Sequence, residues 1–128
     1  MNETETEAGL PPTAGYRYAD QVGHQLFVAG QVPLDAQGEL VGHDDPAAQA
    51  RRCLDNLALL LGAYQFSVED VRHVRVHVVG PHDALTATWA AVRSWFEDDV
   101  PPATLLGGPQ LGYRGQLVEI EATIQRDP

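Results

Sequence analysis

Two glutamates near the end of the chain, Glu119 and Glu121, are the residues best spaced for chemistry. Read as a strand, the segment from Gln116 to Gln125 alternates: Val118, Ile120, Ala122 and Ile124 point one way, and Leu117, Glu119, Glu121 and Thr123 the other. Two residue rises separate the carboxylates by roughly 6.6 to 7 Å on one face. Like charges at that range, partly buried, raise at least one pKa and favour general-base work near neutral pH. On a solvated sheet face the same pair does nothing of the kind, and the pattern alone leaves both readings open. Upstream, Pro101-Pro102-Ala103-Thr104 forms a rigid, proline-gated entry to another strand.

The elements that must position these residues are clearly punctuated. Arg17 to Asp20 and His24 to Gln31 read as strands turned around Gln21-Val22-Gly23, and Asp35-Ala36-Gln37-Gly38 as the next turn. Asp45 followed by Pro46 is a helix start, with Ala47, Ala50, Leu54, Leu57 and Leu61 as its apolar stripe and Gly62 at its end. Ser67 to Asp70 leads into a strand over Val71 to Val79. A second helix starts near Asp83, carries Leu85, Trp89, Val92 and Phe96 on one side, and cannot continue through Pro101-Pro102. Gly107-Gly108-Pro109 and Gly112 to Gly115 read as a hairpin loop between the last two strands, since neither leads from a strand into a helix as a phosphate loop does. A one-residue slip of the final strand would bury both glutamates, so its register is strongly specified. The order strand, strand, helix, strand, helix, strand, strand predicts an α+β domain with two helices on one face of a mixed sheet. The other face then needs cover, which identical subunits would supply.

Composition narrows the function. The 128 residues predict one domain, 13–128, behind an acidic Thr/Glu-rich tail, 1–12, read as disordered. Eighteen acids against eight arginines, with no lysine, leave a net charge of −10. Such a chain repels phosphates, which argues against nucleic acid and anionic membrane as partners. No apolar run approaches the length of a membrane span, and no signal peptide is read at the start. The single cysteine, Cys53, cannot form an internal disulfide, reads as a structural thiol and suits a reducing cytoplasm. His73 and His77 have a chelating spacing on a helix, but on a strand they lie roughly 13 Å apart, so no metal or other cofactor is expected. Arg17 and Arg114 are the basic residues nearest the proposed cleft by sequence.

The succession Leu26-Phe27-Val28-Ala29-Gly30-Gln31-Val32-Pro33, Gly38-Glu39-Leu40-Val41, Gln49 to Leu57, Val71 to Val76, Pro102-Ala103 and Val118-Glu119-Ile120-Glu121-Ala122 resembles the RidA family, also called YjgF/YER057c/UK114. The resemblance runs from about Tyr16 to Gln125. It implies a RidA-like, chorismate-mutase-like fold, a homotrimer with ligand sites in the clefts between subunits, and hydrolysis of reactive enamines and imines to keto acids and ammonia. Carried over residue by residue, it makes Glu119 the group that orients the attacking water. Tyr16 and Gly30 then shape the cleft, and Leu106 holds the ligand through its main chain. An asparagine common on the second helix falls at Trp89. Thr104 stands where the catalytic branch has an arginine that clamps the substrate carboxylate. A threonine hydroxyl offers one neutral hydrogen bond where a guanidinium offers a charged fork, so carboxylate binding should weaken tenfold or more unless Arg114 or Arg17 substitutes. The expected function is therefore a RidA-like deaminase acting on a small imine, enamine or related carbonyl compound other than ordinary 2-aminoacrylate. The alternatives are a non-catalytic, regulatory small-molecule-binding trimer and a pathway-specific enzyme on the same scaffold.

Overall fold

The computed structural model describes residues 1–128. Five strands, β1 (Ala19–Val22), β2 (Gln25–Val28), β3 (Val71–Val79), β4 (Ala103–Gly108) and β5 (Val118–Gln125), form one sheet in the order β1-β2-β5-β3-β4. Every pairing is antiparallel except β3 with β4, which run parallel. Parallel neighbours need a crossover, and helix α3 (His82–Trp95) supplies it. The longer α2 (Pro46–Ala63) packs beside α3 on the same face, giving the α+β architecture that the sequence implies.

Each helix starts where its residues allow. Asp45 caps α2 by accepting from the Ala48 N–H at 3.1 Å, and Pro46 occupies the first turn, where its missing N–H costs nothing. The stripe Ala50, Leu54, Leu57 and Leu61 is buried, while α2 runs one residue past Gly62 before Gln65 turns out with a left-handed φ of 62°. α3 stops at Trp95, short of the prolines, in a left-handed turn at Glu97 and Asp98 clasped by Arg93 Nη2 to Asp98 Oδ1 at 2.9 Å. Both helices cover Val74, Val76 and Val78 of β3 and Val118, Ile120 and Ile124 of β5, all at most 1% exposed. Each such side chain contributes roughly 1.5 to 3 kcal/mol by leaving water, enough to hold the β5 register against a slip.

Two expectations need correction. The loop 109–117 is no hairpin: β5 lies on the far side of β3 from β4, so the chain passes the end of β3, where the Val79 N–H donates to the Leu117 carbonyl at 2.8 Å. Sequence adjacency suggested pairing, but a parallel β4 leaves only the other edge of β3 for β5. The tail is also not disordered. Glu3–Glu7 forms a short helix, α1, closed by a reciprocal capping box between Asn2 and Glu5. Glu5 is 2% exposed and accepts from Tyr64 Oη at 2.6 Å, Leu10 packs on Tyr18 and Leu60, and Tyr18 Oη donates to the Pro11 carbonyl at 2.6 Å. Acidic composition hid these anchors because a cap and one leucine are enough to dock a segment this short.

The face of the sheet away from the helices carries Thr104 and Leu106 of β4, His73, Arg75 and His77 of β3, and Glu119, Glu121 and Thr123 of β5. No element of the chain covers it.

Candidate functional site

Glu119 is set by its neighbours on β5, since Val118 and Ile120 are fully buried on the helix side and turn it to the open face. Beyond β2 the chain rejoins the sheet through a bridge between Gln31 and Ile120, with Gln31 N–H to Ile120 carbonyl at 2.8 Å and the reverse bond at 3.1 Å. That bridge lays Gly30 against the Glu119 carboxylate. A Cβ on residue 30 would overlap Glu119 Oε2 and stand 3.0 Å from its Cδ, so only glycine fits there without moving the acid. Gln116, 3% exposed, donates from Nε2 to Glu119 Oε1 at 3.1 Å and to the Val118 carbonyl at 3.0 Å, while its Oε1 accepts from the Tyr113 N–H at 3.0 Å. Glu119 therefore has one oxygen held by a neutral amide and the other free over a bare backbone.

Glu121 is spent differently. His77 Nε2 lies 2.5 Å from its Oε2, and Arg75 Nη1 3.7 Å from its Oε1. Two like-patterned carboxylates thus acquire different environments: both oxygens of Glu121 face partners within the sheet, and Glu119 keeps one oxygen without a partner. Tyr16 lies beside Tyr113, with its phenol pushed above the ordinary value by burial, by Tyr113 and by the charge on Glu119. It stays a neutral O–H donor at any physiological pH. Burial also pushes the Cys53 thiol well up, and its Sγ, fully buried in the core, bonds to the Val118 carbonyl at 3.6 Å, so it is packing and no nucleophile.

The other expected site residues divide. Thr104 and Leu106 share the open face, paired in register with Arg75 and His77. Trp89 does not join them: it sits on α3, half-buried against the core on the opposite side of the sheet. Arg114 is exposed in the loop 109–117, beside Val79 at the other end of β3, four residue rises or roughly 13 Å along the strand from the Thr104 row. Arg17 stands by Asp20 and Phe27 at β1, the far edge of the sheet from β4. Neither replaces an arginine at 104 within the subunit. A surface cavity of about 560 Å³ lies by the α3 terminus between Trp95, Phe96 and Val68 and holds none of these residues.

Reading the sequence as stripes missed a polar set on α2. Gln49 accepts from the Leu117 N–H at 2.7 Å and donates to the Gly42 and Gly115 carbonyls, Arg52 donates to the Leu34 carbonyl, and Asn56 donates to those of Val32 and Leu34. Gln49 and Asn56 are buried at the 3-4 spacing of a packed helix face, and that combination of polar type and apolar position was the available signal. They fasten the two segments, 29–42 and 109–117, that bring Gly30 and Tyr113 to Glu119.

Comparison with known proteins agrees with this geometry. The family model described as endoribonuclease L-PSP matches residues 6–125. A RutC family protein of Pyrococcus horikoshii is 31% identical over 123 residues, covering 95% of each chain. The 3-aminoacrylate deaminase RutC of Acinetobacter baylyi is 28% identical over 97 residues, covering 74% of this chain and 75% of its own. The crystal structure of the YjgF gene product of E. coli superposes with a TM-score of 0.83 at 26% identity, covering 94% of this chain and 95% of its own. With the family model matched over residues 6–125 and a relative 31% identical across 95% of each chain, this chain belongs to the RidA (YjgF/YER057c/UK114) family.

Proposed function

We propose that the protein is a deaminase that hydrolyses a small reactive imine or enamine to a carbonyl compound and ammonia, working as a homotrimer. The observation that carries this is the state of Glu119: a carboxylate with one oxygen tied to Gln116 and the other free over Gly30, a placement that suits holding and deprotonating a water. Similarity to a 3-aminoacrylate deaminase supports the reaction class. In the step proposed, the enamine first takes a proton at carbon to become the imine. Glu119 removes a proton from water as the oxygen adds to the C=N carbon and the nitrogen takes a proton from solvent; the carbinolamine nitrogen then takes the proton held by Glu119, the hydroxyl loses its proton to solvent, and the C–N bond breaks to release ammonia and leave the carbonyl. Tyr16, a neutral donor, and the Leu106 main chain hold the ligand. A trimer would cover the open sheet face, which no helix protects. The net charge of −10 speaks against RNA as substrate.

The test is ammonia release from imino acids generated in situ. Activity is expected on some member of this class. With 2-aminoacrylate it should be weak, and Thr104→Arg should raise it. Turnover of 2-aminoacrylate as fast as that of an arginine-bearing relative would show that the clamp is not missing at all. A second reading is favoured by Thr104 itself: without a guanidinium on β4 the cleft can retain ligand binding without turnover. Absence of ammonia from any imino acid, together with saturable ligand binding, would select that reading.

A further inference from the structure

The cavity at the end of α3 shares no residue with the Glu119 site. Val68, Val71, Trp95, Phe96 and Pro101 give it an apolar lining, and three carboxylates, Glu69, Glu97 and Asp99, open into the same space. Its volume, about 560 Å³, falls within the roughly 300 to 1,000 Å³ of small-molecule sites. We propose that this cavity binds a linear polyamine, a chain of methylenes that carries several ammonium groups. The proposal does not depend on the reading of Glu119 as the hydrolytic residue.

The acids of this region are sorted between those with internal partners and those without. Asp70 accepts from the Ser67 N–H at 2.8 Å, Asp98 from Arg93 Nη2 at 2.9 Å, and Asp55 from Trp95 Nε1 at 2.9 Å. No ion pair of the chain involves Glu69, Glu97 or Asp99, and no basic residue lines the cavity. Three uncompensated negative charges around an apolar lining favour a cation that also has apolar surface. A bare metal ion is not that cation. It needs several oxygens converging at roughly 2.0 to 2.6 Å, and no three acidic or histidine side chains of this chain are grouped closely enough to hold one. The carboxylates come instead from two separate turns, Glu69 from the turn Val68–Asp70 ahead of β3, Glu97 and Asp99 from the turn that ends α3. Charges set apart across apolar surface match ammonium groups set apart by methylenes. The methylenes bury against the lining, and an ammonium within roughly 6 Å of the Trp95 or Phe96 ring gains attraction to its face. Trp95 is already held by its bond to Asp55 and by Phe96 packed edge-on at 4.9 Å between ring centroids, so binding need not order it.

The experiment is calorimetric titration of spermidine into the full-length protein at fixed ionic strength, with oligomeric mass recorded for each variant. Wild type should bind one spermidine per chain. Glu69→Gln, Glu97→Gln and Asp99→Asn combined should bind roughly tenfold more weakly or worse. Glu3→Gln, Glu7→Gln and Asp20→Asn combined change the net charge equally on other surfaces and should match wild type. Val68→Ser keeps every charge but removes apolar lining, and should weaken binding several-fold. Butylamine, with one ammonium, and Mg²⁺, with no apolar body, should each bind roughly tenfold more weakly than spermidine or worse. Failure of wild type to bind spermidine overturns the proposal. Equal weakening by the two charge-changing sets also overturns it, by showing diffuse attraction to an acidic protein, and so does Mg²⁺ binding as tight as that of spermidine. If the combined cavity variant does not fold, equal affinity for Glu69→Gln and wild type overturns it. Ammonia release enters none of these measurements, so failure of the polyamine site and failure of the hydrolase reading are told apart.

Discussion

Glu119 and Glu121 differ by what reaches them, and that difference makes opposite predictions for the same substitution. Glu119→Gln preserves size and the bond to Gln116 but removes the base, so turnover should drop roughly 10²- to 10⁴-fold at unchanged oligomeric mass, read by ammonia release. Glu121→Gln takes the carboxylate from His77 and the counter-charge from Arg75, and should change stability or assembly more than rate. Gly30→Ala tests the site from below. Its methyl would collide with the Glu119 carboxylate and must displace it, so turnover should fall at least tenfold while the unfolding midpoint changes little, because φ at residue 30 is not left-handed. Equal rates for Gly30→Ala and wild type would remove Glu119 from the mechanism.

At the scale of elements, α1 and α2 work as fasteners. Tyr64 follows the end of α2 and ties Glu5 of α1 through its hydroxyl, so Tyr64→Phe should cost about 1 to 3 kcal/mol in chemical denaturation by leaving a buried carboxylate short of a donor. The tyrosines also set an alkaline limit. Tyr16, Tyr18 and Tyr64 all have pKa values raised by burial, first of all, so the folded state favours their protonated forms. Their contribution to stability is complete below the ordinary phenol value near 10 and is lost as pH rises through the raised values. Stability measured by denaturant titration should therefore fall above about pH 10, and less steeply in Tyr64→Phe. An unchanged slope in that variant would place the alkaline loss elsewhere. Asn56→Leu would strip two carbonyls, Val32 and Leu34, of their donor and loosen the segment that carries Gly30.

For the whole molecule, the uncovered sheet face is the surface on which the proposed trimer would form. It bears charged and polar residues around Leu106, with the exposed Phe27 and Val22 toward the β1 edge. Light scattering at micromolar concentration should give three times the 13.9 kDa mass of one chain, and a monomer mass would leave the cleft without its second wall. No helix of the structure is long and apolar enough to cross a membrane.

Local chemistry determined much of this protein directly from sequence. Periodicity set the β5 register and the face of both glutamates, because a slip would expose four apolar side chains at once. Asp45-Pro46 set the start of α2, because a cap and a fixed φ act within one turn. Ordered motifs from Leu26 to Ala122 pointed to the family. Tertiary structure decided what depends on contacts between distant residues. It placed β5 between β2 and β3, docked the acidic first residues, sent Trp89 to the core, and set Arg75 beside Thr104. It also separated the two glutamates, by giving one to His77 and Arg75 and the other to Gln116 and Gly30. Alternation assigns a side chain to a face, but its charge environment comes from neighbouring strands and loops, whose register no local pattern contains.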